Sequence, residues 1–66
     1  MDRLFVMSRA RDHKRVEFYS ETRNDKKTFI IREVGLTSQD SVTTDPDAME
    51  IYRQRLLNDG YMQSSF

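Results

Sequence analysis

The chain contains no cysteine, so neither a disulfide nor a thiolate zinc site can compensate for a small core. It has a single histidine, His13, and its carboxylates are scattered, which excludes the usual spacing of a structural metal site. Gly35 and Gly60 are isolated, so there is no glycine-rich phosphate loop or dinucleotide fingerprint. No cofactor is expected. No apolar run approaches the roughly 18 residues of a membrane span. Asp2 and Arg3 precede only a short apolar run, unlike a secretory leader, and a cytoplasmic location is the expectation.

Net charge is also missing, since eleven Lys and Arg balance eleven Asp and Glu. The balance hides an asymmetry. Residues 1–33 carry nine cations against six acids, net +3, and residues 34–66 carry two against five, net −3. Such a division can orient a partner or a second copy of the chain.

Sixty-six residues form one small domain, 1–66, and a chain of this size buries only about 60% of its unfolded surface. Apolar residues are 36% and charged residues 33%, but the apolar ones are grouped, which separates the chain from disordered sequences. Sharing a core with another chain would enlarge it, so self-association is part of the expectation.

Three runs read as strands, 3–8, 15–21 and 27–34, because they hold most of the β-branched and aromatic residues. In the first, Phe5 and Met7 oppose Leu4 and Val6, so both faces are apolar and the strand is expected to be central. In the second, Val16, Phe18 and Ser20 form one face and Glu17, Tyr19 and Glu21 the other. The third sets Phe29, Ile31 and Glu33 against Thr28, Ile30, Arg32 and Val34. Residues 9–14 form a charged hairpin loop. Asn24 and Asp25 belong to a turn, where both types tolerate left-handed dihedrals.

Leu36 and Val42 are the apolar exceptions in a polar connection. An anchored loop is the preferred reading there, with Ser41-Val42-Thr43 as a very short edge strand the alternative. Asp45 then caps a helix whose first residue is Pro46, and Asn58-Asp59-Gly60 stops it. Ala48, Met49, Tyr52 and Leu56 share its core side, while Leu57 points away. The tail from Tyr61 to Phe66 is read as frayed or as a short returning strand. The fold class is α+β: a three-stranded antiparallel meander covered by one C-terminal helix, with a fourth short strand optional. The expected core is Val16, Phe18, Phe29, Ile31, Met49, Tyr52 and Leu56, completed by Leu4 or Phe5.

Catalysis finds little support. His13 beside Asp12 suggests a carboxylate-oriented base, yet neighbours on a charged loop rarely present such a pair to a substrate, and no nucleophile accompanies them. The expectation is a non-enzyme that binds another protein as a regulator or adaptor, in a homodimer or a hetero-complex. Leu4, Phe5, Tyr19, Leu57, Tyr61 and Phe66 are the candidate interface residues. By composition, compact charged chains of this kind occur among bacterial and phage accessory proteins. The runner-up is RNA or single-stranded DNA binding through Arg9, Arg11, Lys14, Arg15, Lys26, Lys27 and Arg32, with Tyr19 as a stacking ring. Zero net charge weighs against it, since dedicated nucleic-acid binders are usually more basic.

Overall fold

The computed structural model describes residues 1–35 and 37–64. It shows an α+β fold of five antiparallel strands and one helix. The strands are β1 (Asp2–Arg9), β2 (Lys14–Arg23), β3 (Lys26–Val34), β4 (Gln39–Thr43) and β5 (Met62–Ser64), and the helix α1 (Pro46–Asn58) lies between β4 and β5. The sheet order is β4-β3-β2-β1-β5. The first four strands form a meander, and β5 returns to the far side of β1. Expected strands one to three and the helix are therefore present, and the tail supplies a strand.

The connection between β3 and α1 differs from the anchored-loop expectation. Gln39–Thr43 pairs with β3, Val42 opposite Ile30 and Asp40 opposite Arg32. Val42 stays exposed. Backbone pairing and the Arg32–Asp40 ion pair, at 2.9 Å, hold this strand, and core burial does not. Leu36, its expected companion anchor, lies outside the described residues.

Local chemistry accounts for the boundaries. Asn24 (φ 51°) and Asp25 (φ 62°) make a two-residue hairpin with both residues left-handed, which matches the twist of the strands they join. Asp45 caps α1 by accepting from the Asp47 N–H at 2.9 Å, and Pro46 follows in the first turn, where its missing N–H costs nothing. At the other end Gly60 takes φ 90°. The Gly60 N–H donates to Leu57 O and the Tyr61 N–H donates to Leu56 O, the paired bonds of a Schellman ending. That ending turns Tyr61 back beneath the helix.

Helix length suits its task. Thirteen residues rise about 20 Å, and four strand spacings from β4 to β5 cover about 19 Å. The helix thus crosses one face of the sheet from edge to edge. Its Met49, Tyr52 and Leu56 pack on a buried cluster of Met7, Val16, Phe18, Ile31 and Tyr61. Phe18 stacks on Phe5 at 4.5 Å between ring centroids and meets Tyr52 edge-on at 6.1 Å.

Two residues of this cluster, Met7 and Tyr61, were not in the expected core. Met7 is completely enclosed because β1 is an interior strand, flanked by β2 and β5. Phe29 is buried, as expected, but outside this cluster. A register shift between Arg3 and Phe5 inserts Leu4, and both Leu4 and Phe5 pack against the helix-side core. Strict alternation had put Leu4 with Val6 on the other face.

Candidate functional site

The face opposite α1 has no second layer among the described residues. Its side chains form three cross-strand rows, read from β4 toward β5. The first is Val42, Ile30, Tyr19 and Arg3; the second is Asp40, Arg32, Glu17, Val6 and Ser64; the third is Val34, Arg15, Ser8 and Met62. Ile30 and Val6 are almost completely buried even though no helix covers them. Long polar side chains with apolar stems shield such positions on an open sheet.

Glu17 is the centre of the polar arrangement, with only 9% of its surface exposed. Its Oε1 accepts the Tyr19 hydroxyl at 2.8 Å, and its Oε2 meets Arg15 at 2.5 Å and Arg3 at 3.5 Å. The Tyr19 hydrogen bond and then the two guanidiniums outweigh burial, and hold the Glu17 carboxyl below its usual range. Arg32 lies over the Tyr19 ring, 5.2 Å from its centroid, while Nε and Nη2 grip Asp40. The Asp40 carboxyl is lowered by that grip. Tyr19 and Arg32, named from sequence as a stacking ring and a basic contact, are thus brought together.

Exposed apolar groups surround this charged centre. Val34, Val42 and Met62 are all on the same face, with Met62 75% exposed. None of the three was a candidate from sequence. Val42 and Met62 become recognisable only once β4 and β5 exist, because those short strands set their facing.

Other candidates separate. Leu4 and Phe5 are half-buried against the core, and Leu57 is exposed on the helix. Tyr61 is corrected from surface anchor to core residue, 8% exposed, because the Schellman ending tucks it under α1. Phe66 lies outside the described residues.

The basic set also divides. Arg9, offered as a nucleic-acid contact, is largely enclosed: it clamps Asp12 with two bonds of 3.0 and 2.7 Å, and reaches the Asp59 carboxylate at 2.8 Å and the Asp59 carbonyl at 3.0 Å. Its role is internal. Arg15 and Arg32 are tied to Glu17 and Asp40 as above. Among the described residues, no ion pair engages Arg11, Lys14, Lys26 or Lys27. Lys14 and Lys26 lie at opposite ends of β2's pairing, next to Arg9 and Arg23 in register, so the free cations form no single patch.

A cleft of about 410 Å³ opens where the β1–β2 loop meets the end of β3, with Val16, Leu56 and Tyr61 on its apolar side and His13, Lys14 and Glu33 among its polar lining. Both oxygens of Asp12 are held by Arg9, so Asp12 does not serve as the orienting partner of His13. Glu33 accepts the Tyr52 hydroxyl at 2.6 Å. Burial, with Glu33 adding to it, pushes the Tyr52 phenol up to about 12. Among the described residues, no three His, Cys, Asp or Glu side chains are grouped to hold a metal, and no helix is long and apolar enough to cross a membrane.

Comparison with protein-family models, with curated proteins and with solved structures finds no match to this chain.

Proposed function

We propose that this chain is a non-catalytic protein-interaction module, a small regulator or adaptor of the cytoplasm that docks a partner protein on the sheet face opposite α1. The observation that carries this reading is the composition of that face. Tyr19, Arg15 and Arg32 stand among exposed Val34, Val42 and Met62, and tyrosine and arginine are the side chains that most often dominate interface energetics. Glu17 and Asp40 already hold the arginines in place, so binding orders fewer side chains.

The same carboxylates disfavour the nucleic-acid reading. Phosphate approaching Arg15 or Arg32 meets the charge of Glu17 or Asp40, and one aromatic ring makes a poor platform for successive bases. Random RNA and single-stranded DNA, followed by fluorescence anisotropy at two salt concentrations, are expected to show no salt-dependent binding.

Affinity capture with the wild-type chain and with Val42→Asp tests the docking face. Val42 is exposed and outside the core, so the variant keeps the fold. A protein retained by the wild type and lost by V42D and by Tyr19→Ser supports the reading. Identical capture by all three chains refutes it for this face. Sedimentation equilibrium decides separately whether a second copy is a partner.

A further inference from the structure

The outer edge of β4 carries backbone groups that the sheet itself does not use. The Asn24-Asp25 hairpin closes on Arg23 and Lys26, and a turn of this type bonds its closing pair. Bonded and non-bonded pairs then alternate along an antiparallel ladder, so β3 turns the backbone groups of Phe29, Ile31 and Glu33 toward β4, where they meet Thr43, Ser41 and Gln39. Asp40 and Val42 fall at the intervening positions, and their N–H and C=O groups point away from β3. Among the described residues no strand lies on that side.

Natural edges are usually blunted by lysine, proline or a bulge. β4 contains neither residue, and its register with β3 runs unbroken from Gln39 to Thr43. Its one charged side chain, Asp40, is drawn back over its own sheet by Arg32. Val42 stands on this edge 54% exposed.

We infer that the β4 edge pairs with the same edge of a second copy, antiparallel and with Val42 on the two-fold axis, so that two sheets join into one. The contact uses the edge of the sheet and not its face, and is therefore independent of the docking partner proposed above.

Side-chain chemistry selects that register. A two-fold axis perpendicular to the sheet keeps each side chain on its own face, so the axis passes through a single residue of β4. On Val42 it sets two β-branched side chains opposite each other, a favourable cross-strand pair, and carries the row of Ile30 and Val42 on into the second copy. Asp40 then faces Thr44 of the second copy. On Asp40 the axis would oppose two carboxylates, and on Ser41 it would set Asp40 against Val42. The acids at the start of α1 do not oppose the contact. Antiparallel strands take Asp45 of the two copies to opposite ends, about 20 Å apart, well beyond the roughly 8 Å screening length of physiological salt.

A second copy is favoured over a foreign strand because the edge complements itself, and because the pairing closes, consuming both β4 edges in one dimer. The strand is short and the contact small, so the dimer is weak, with a Kd on the order of 0.1 mM.

Sedimentation equilibrium of the purified whole chain, up to about 1 mM, tests the inference. The wild type is expected to show reversible dimerisation. Val42→Pro removes an N–H that faces away from β3, and should weaken the dimer about tenfold or more while β4 keeps its place. Val42→Lys and Val42→Asp should each be monomeric, since each sets like charges on the axis, and their equimolar mixture should dimerise, since lysine then meets aspartate. Position 42 is exposed, so this complementation decides the matter even if the proline variant unfolds. Tyr19→Ser, which alters the docking face, should leave the dimer unchanged. Amide exchange should slow with concentration at Asp40 and Val42, and be slow at Ser41 at every concentration. A wild type that stays monomeric overturns the inference, also where a foreign protein is captured and lost by Val42→Pro, which gives the edge to another strand. A dimer that survives in Val42→Lys, or a Lys/Asp mixture that associates no better than its components, overturns it as well.

Discussion

The Arg9 guanidinium lies over the Tyr61 ring, 4.7 Å from its centroid, and so joins the end of β1 to the residue that follows the helix stop. The same side chain holds Asp12 in the hairpin loop and Asp59 at the helix C-cap. One arginine therefore fastens the first hairpin to the C-terminal end of the helix, 50 residues away in the chain.

Replacing Arg9 by alanine should release the first hairpin loop from the helix C-terminus. We expect the thermal midpoint to fall by several degrees, while Arg11→Ala, in the adjacent loop, leaves it nearly unchanged. Arg9→Lys should recover part of the loss, since an ammonium keeps the charge but cannot clamp Asp12 with two parallel bonds. Differential scanning calorimetry of the three variants measures this. Equal midpoints for R9A and R11A would show that the clamp is ornamental to stability.

Met7 is the strongest single test of the core, because it is enclosed between the helix and two neighbouring strands. Met7→Ala should cost about 2–5 kcal/mol, the usual range for a large side chain deleted from a packed interior. Leu57→Ala, on the exposed side of α1, should cost about 0.5 kcal/mol or less. Urea titrations of both variants supply the comparison, with the midpoint shift as the readout.

Acid should loosen the molecule in a defined window. Asp12, Glu17, Asp40 and Glu50 all have carboxyls below their ordinary values: Arg9 holds the first, Tyr19 and the two arginines the second, Arg32 the third, and Arg53 with Gln54 takes Glu50 to about 2. A carboxyl that is more acidic in the folded state binds its proton more readily when unfolded. Its contribution is therefore complete above about pH 5 and is lost as pH falls through about 4 toward 2. Circular dichroism melts should show a level midpoint from neutrality to mild acidity, then a decline. High salt should flatten the decline, because Asp12, Asp40 and Glu50 are near the surface. A midpoint independent of pH down to 2 would contradict these assignments.

Much of this architecture was legible in the chain. Val16, Phe18 and Ile31 alternate with polar residues and therefore declare their strands and their inward face; Asp45-Pro46 and Gly60 declare both ends of the helix by their backbone chemistry. β4 was legible only as the alternative reading, a very short edge strand at Ser41-Val42-Thr43, because its one apolar residue, Val42, is exposed and its partner contacts are backbone bonds and an ion pair eight residues apart. The burial of Tyr61 and Met7 accompanies the pairing of β5 with β1, which the two apolar faces of the first strand and the returning-strand reading of the tail pointed to without giving partner or register.

The site was legible in pieces. Tyr19, Arg15 and Arg32 could be named from residue type and strand parity. Glu17 was recognised only as part of a polar face, since its sharing by Tyr19, Arg15 and Arg3 depends on side-chain conformations along β2 and on the register between β1 and β2. Val34 and Met62 carry no sequence signal of binding at all; their neighbours in the sheet give them their meaning.

The placement of β1 between β2 and β5 has a consequence for biosynthesis. Residues 2–9 are synthesised before the other strands but find their second neighbour only in residues 62–64. Until residue 64 has cleared the exit tunnel, one border of β1 stays unclaimed, so completion of the sheet is confined to the period after that residue emerges.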